Sequence, residues 1–353
     1  MARRRWLAPW RDSAVRPAVY HVVSRVVDRR FAFGAEEKER FRGLMRRAEQ
    51  FSGCRVLAYC LMSNHFHLLL EVPPGNEREL SDELLLERLA VLYPAWKVRE
   101  VAGRLAAARA AGDAAEARRV VACHARRMHD LSQFMKTLLQ RFSSWFNRAH
   151  GRTGRLWEQR FCSVLVEDGT AARAIAAYID LNPVRAGICQ DPADYRWSSY
   201  AEAVAGGAKA RAGLVRALRG PRGSDGTARG WAQGGLAREY RALLLGQGAE
   251  VVVDGTVRRK GMARERAARE LQELAELEER RRDLRISQVI RHRVRHFTAG
   301  AAIGGRGFVE EVFRGCRQFF GPRRTSGARR PRGALAGLAG AVWAARDLRA
   351  GTG

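Results

Sequence analysis

The sequence predicts a mixed α+β fold with a helical insertion and a basic, mainly helical C-terminal extension. Two kinds of periodicity and the punctuation between them carry that reading. The β-branched run VYHVVSRVV, residues 19–27, alternates loosely as a strand does, and residues 36–51 then place Phe41, Leu44, Met45 and Ala48 at helical spacing. Gly53 breaks that helix. Two strand-like runs follow, 55–61 and 65–72, with turn-prone Ser63 and Asn64 between them, and they predict a hairpin closed off by Pro73, Pro74 and Gly75.

From 81 to 149 the chain is rich in Leu, Ala, Arg and Glu and predicts two or three helices interrupted at Pro94, Gly103 and Gly112. The last of these, 131–146, sets Phe134, Leu138, Phe142 and Trp145 on one face and basic residues elsewhere. Residues 161–166 predict a further strand, and Gly169 and Thr170 open a helix that Pro183 must end. Beyond residue 200 the Gly- and Arg-rich stretches offer little to bury, which predicts a catalytic domain over 1–202, with its helical insert at about 80–149, a connector over 203–250, and a basic extension over 251–353 in contact with nucleic acid.

The 353 residues are 46% apolar, enough for a sizeable core, and carry a formal net charge of +27. Such an excess matches a polyanionic partner, nucleic acid first, although a GC-rich genome would produce the same arginine bias. No run is long enough for a membrane helix and no secretory leader is evident, so a cytoplasmic, nucleoid-associated protein with no membrane partner is expected. Six scattered cysteines without a C-x-x-C pair argue against a disulfide framework or a zinc ribbon and read as buried free thiols.

In SNHFHLLLEV, His65 and His67 are separated by one residue, so on a strand both imidazoles leave the same face while Phe66, Leu68 and Leu70 point to the core. Such a pair can hold a divalent ion with open water positions, or can be two solvent-facing histidines. In TAARAIAAYIDLN, Ala171, Ala174, Ile175 and Ile179 form a stripe, and Tyr178 and Asn182 stand one turn apart beside it. Tyr178 reads either as a nucleophile that needs a nearby cation or as an ordinary half-buried aromatic.

In order and spacing, NHFHLL at 64–69, RTGRLWEQRF at 152–161, and YIDLNPVRAG at 178–187 followed by WSSY resemble the REP-associated tyrosine transposases, a branch of the His-hydrophobe-His endonucleases. The likeness covers roughly residues 15–200, and FVEEVF, GPRRTSGARRPRG and RDLR resemble the extension of that family's long members. It implies a ferredoxin-like core, an antiparallel sheet of four or five strands with helices on one face. It also implies that His65 and His67 are metal ligands, that Tyr178 is the nucleophile, and that Asn182 stands where relatives place a third, more variable ligand.

The implied activity is metal-dependent endonuclease and transposase chemistry: single-stranded or hairpin DNA is cleaved and rejoined through a 5′-phosphotyrosine with Mg or Mn. Arg141, Arg148, Arg155, Arg160 and Arg185 are the expected phosphate contacts. Trp157 is either a base-stacking residue or a buried anchor. The target repeat and the choice between monomer and homodimer stay open. The rival readings are a domesticated protein that binds hairpin DNA without cutting, a nuclease in which water attacks, and a structural metal site.

Overall fold

The computed structural model describes residues 5–74, 80–221, 227–232, 235–253, 256–276, 300–329 and 343–346. Strand β1 (Ala18–Arg25) leads through helix α1 (Ala35–Ser52) to the hairpin β2 (Arg55–Leu61) and β3 (His65–Val72). Gly53 ends α1 in the left-handed conformation, φ 72°, that a side chain would resist. Four helices follow, α2 (Asp82–Leu92), α3 (Ala95–Ala110), α4 (Ala114–Ala125) and α5 (Leu131–Ala149). Ser81, Asp113 and Asp130 cap α2, α4 and α5 through side-chain bonds to backbone N–H groups.

Strand β4 (Cys162–Val166) precedes α6 (Thr170–Asp180), and the single turn α7 (Asn182–Arg185) restarts the helix with Pro183 in its first turn, where no N–H is missed. Then come α8 (Ser199–Val204), α9 (Ala208–Arg219), α10 (Arg229–Ala232) and α11 (Leu236–Gly248). The ribbon β5 (Val251–Val253) and β6 (Thr256–Arg259), helix α12 (Arg264–Glu276), strand β7 (Gly300–Gly304), helix α13 (Arg306–Gly315) and strand β8 (Trp343–Arg346) complete the described chain.

One sheet organises the molecule, in the order β2-β3-β1-β4-β7-β8. Its first four strands are antiparallel throughout, the split βαβ arrangement of a ferredoxin-like core, as expected. The sheet nevertheless carries helices on both faces, not one. Tyr20, Val22, Phe66, Leu68 and Leu70 pack with Phe41 of α1 and Phe134, Phe142 and Phe146 of α5. Val19, Leu69, Val164 and Val166 point the other way and pack with Ile175 and Ile179 of α6, Leu214 of α9 and Leu244 of α11. The insert builds a third cluster from Leu85, Leu89, Leu105 and Val120 around Phe51.

The expected connector and extension are corrected in the same way. Residues 203–250 supply α9 and α11 to the main core, because alanines and one glycine let α9 lie close on β2. Its Arg216, which reads as a linker charge in the sequence, is buried against Glu71, with Nε 2.6 Å from the carboxylate, and binds Asp168 at 2.8 Å. Beyond residue 251 the chain adds two strands to the sheet. β7 runs parallel to β4 and is buried along its whole length. The segment 285–297 lies outside the described residues.

Cys54, Cys60 and Cys316 are buried free thiols, whereas Cys123 is exposed and Cys162 and Cys189 are partly so. Among the described residues no helix is long and apolar enough to cross a membrane.

A Cβ added at Gly213 would stand 2.4 Å from the carbonyl oxygen of Val56 and 2.9 Å from that of Leu57. Helix propensity alone would make Gly213→Ala stabilising by roughly 1 kcal/mol. The contact is with backbone atoms that cannot swing aside, so overpacking wins and a net loss of about 1–3 kcal/mol is expected in a denaturant titration. A midpoint equal to or above wild type would contradict this close approach of α9 to β2.

Candidate active site

On β3 the odd-numbered side chains share the face that α6 covers, and the register sets His67 opposite Val23 of β1 and His65 opposite Arg25. A third histidine therefore enters from β1. His21 has the same parity, and its Nε2 lies 3.0 Å from Nδ1 of His67, the rings nearly parallel at 19° with centroids 5.2 Å apart. His65 meets His67 edge-on at 5.1 Å, and its Nδ1 is 2.6 Å from the Oδ1 of Asn64. Burial, with the charge of Arg25 behind it, takes His65 down to about 4. Burial also holds His67 well below the usual imidazole range, helped by His65, His21, Arg25 and Arg185. Both rings are thus neutral at physiological pH, the form a metal accepts.

Tyr178 comes down from α6 onto the same histidines. Its ring is edge-on to His67 at 5.7 Å and to His21 at 5.9 Å, and the guanidinium carbon of Arg185 sits 4.9 Å from its centroid. The sequence suggests one buried stripe on α6 with Tyr178 beside it. The helix is instead buried nearly all round, between the sheet and the helices beyond it, and Tyr178 is 2% exposed.

Asn182 keeps its place one turn on, with its amide nitrogen donating to the carbonyls of Tyr178 at 3.0 Å and Ile179 at 3.1 Å. It closes the end of α6 there, and its amide oxygen is the atom left for a ligand. Among the described residues no three His, Cys, Asp or Glu side chains gather as a metal set. The donor chemistry still fits a divalent ion at the pair: two neutral imidazoles share one strand face, each with Nδ1 engaged by a neighbour and Nε2 as the remaining ring nitrogen.

Of the expected DNA contacts, Arg185 joins the site, and Arg148, Arg155 and Arg160 are exposed on the surface. Arg141 turns instead to the insert, donating to the Leu92 carbonyl at 2.9 Å beside the Tyr93 ring. The Trp157 indole is partly buried and packs beside Phe33, Phe41, Phe66 and Phe142. His21 and Arg25 went unremarked in the sequence. The parity of VYHVVSR would put both on one face, but only the pairing of β1 with β3 brings them to His65 and His67.

Asp180 explains why YIDLN and WSSY occur together. The Asp180 carboxylate is fully buried and accepts hydrogen bonds from the Ser199 hydroxyl at 2.7 Å, the Tyr200 N–H at 2.9 Å and the Tyr240 hydroxyl at 2.7 Å. Ser199 also accepts from the Tyr59 N–H at 3.1 Å, and Leu61 donates to the Trp197 carbonyl, so the WSSY segment runs along β2.

Residues 14–79 match the family model described as "Transposase IS200 like". The matched segment contains β1, α1, β2 and β3, and with them His21, His65 and His67. The transposase resemblance seen in the motifs is borne out there. A solved structure described as a REP-associated tyrosine transposase bound to a REP hairpin is 14% identical, covering 59% of this chain and 86% of that one at a TM-score of 0.36. No curated protein matches the chain significantly.

Burial raises the Asp180 carboxyl from 3.8 to about 6, against the hydrogen bonds that lower it. A carboxyl raised on folding contributes stability that is fully present below about pH 3.8 and is lost as pH rises through about 6. Asp180→Asn cannot ionise. The stability of wild type minus that of Asp180→Asn is therefore expected to fall by on the order of 3 kcal/mol between pH 4 and pH 7. A difference that stays flat across that range in thermal melts would contradict the assignment.

Proposed function

We propose that this chain is a metal-dependent DNA transposase that cuts and rejoins single-stranded DNA with Tyr178 as its nucleophile. The observation that carries the reading is the meeting of Tyr178 with His67 and His21, at 5.7 and 5.9 Å, beneath the guanidinium of Arg185. Nε2 of His65 and of His67, with Asn182 as third ligand, would hold Mg or Mn, and the ion when bound polarises the scissile phosphate. Arg185 and Arg25 add positive charge where the phosphate and the phenol oxygen gather negative charge.

In this reaction the Tyr178 oxygen bonds to phosphorus as its proton departs, the bond from phosphorus to the 3′ oxygen breaks, and that oxygen takes up a proton. A 5′-phosphotyrosine and a 3′-hydroxyl result. One phosphoester replaces another, so an incoming 3′-hydroxyl can reverse the step without ATP. The exposed Arg148, Arg155 and Arg160 would grip the strand or hairpin backbone. Because Tyr178 is buried, DNA reaches the phenol only after a covering segment moves. That burial also suits the second reading, a hairpin-binding protein that no longer cuts.

Labelled single-stranded hairpin DNA incubated with the protein and Mn or Mg, then resolved on a denaturing gel, separates the two. A covalent adduct is expected that chelator prevents and Tyr178→Phe abolishes. Binding without an adduct would favour the module, and cleavage that survives Tyr178→Phe would assign the attack to water.

A further inference from the structure

The contact between His21 and His67 can be made in two ways, and only one leaves His67 able to bind a metal. Where His21 donates from Nε2, Nδ1 of His67 is the acceptor, its proton sits on Nε2, and the ring has no lone pair left for an ion. Where His67 donates from Nδ1, its Nε2 lone pair is available and His21 carries its own proton on Nδ1. His65 has no such freedom, because the Asn64 oxygen can only accept, which puts the His65 proton on Nδ1.

We propose that His21 is a positioning residue that accepts the Nδ1 proton of His67 and so fixes that ring in the tautomer and orientation a metal ligand requires. This role rests on the reading of His65 and His67 as the metal pair. Three observations support it. The nitrogen to nitrogen distance is 3.0 Å. His21 is fully buried and His67 nearly so, which excludes water as the competing partner and disfavours a charged pair. His21 also meets the Tyr178 ring edge-on at 5.9 Å, so one side chain orients ligand and nucleophile together.

The choice of partner has a chemical consequence. Metal-bound histidines commonly donate to a carboxylate or a backbone carbonyl. A carboxylate here would add a negative charge beside the place where a phosphate diester must enter. A neutral imidazole fixes the tautomer without that charge.

Two measurements on the full chain test the proposal. With the histidines selectively labelled with 15N, long-range proton–nitrogen correlation spectra of the metal-free wild type at pH 7.5 report each tautomer. His21 and His67 are both expected to carry the proton on Nδ1, and a His67 protonated on Nε2 would overturn the proposal. In Mn titrations, His21→Phe, which keeps a ring but removes the acceptor, is expected to bind about 10- to 100-fold more weakly. His21→Gln, whose amide oxygen can accept the same proton, should recover most of the affinity.

His21→Phe binding Mn as tightly as wild type, with its fold intact by circular dichroism, would also overturn it. A wild type that binds no Mn would count against the metal-dependent function and not against the hydrogen bond, which the tautomer spectra still decide. The spectra likewise decide the matter if His21→Phe does not fold, since they need no variant.

Discussion

The carboxylate of Asp180 stands at the C-terminal end of α6, where the helix dipole disfavours negative charge, and in a core that disfavours it further. Its three donors, two from the adjacent Ser199 and Tyr200 of α8 and one from Tyr240 of α11, offset that cost. One side chain therefore ties α6 to α8, to α11 and, through Ser199, to the edge of β2. Tyr178 lies two residues away on the same helix.

Around this anchor the site separates two kinds of electrostatics. Burial holds His65 and His67 below the usual imidazole range, while positive charge comes from Arg25 across from His65 and Arg185 over Tyr178. Of the arginines expected to meet DNA, Arg148, Arg155 and Arg160 are exposed.

Much of this was legible in the residues. The period-two runs and the Ser63–Asn64 turn gave the hairpin with its bounds, and same-strand parity put His65 and His67 on one face. What failed has a common physical cause. Small residues are ambiguous: Gly213 and its alanine neighbours look like a linker until a strand lies against them, and the small-residue run of β7 sits in a stretch expected to be mainly helical until β4 pairs with it. Cross-strand partners are likewise invisible without the register, which is why His21 went unnoticed and Trp157, set among four phenylalanines, kept two readings.

The parallel seam between β4 and β7 joins Leu165 to Ala302 and Val166 to Ile303. A chain emerging from the ribosome completes the antiparallel strands around β1 long before Gly300 is made, and during that interval β4 is an open edge of unpaired N–H and C=O groups. Closing so wide a loop is slow, since its entropy must be lost before the pairing rewards it. How long that edge stays open is therefore set by the arrival of one short strand from the far end of the chain.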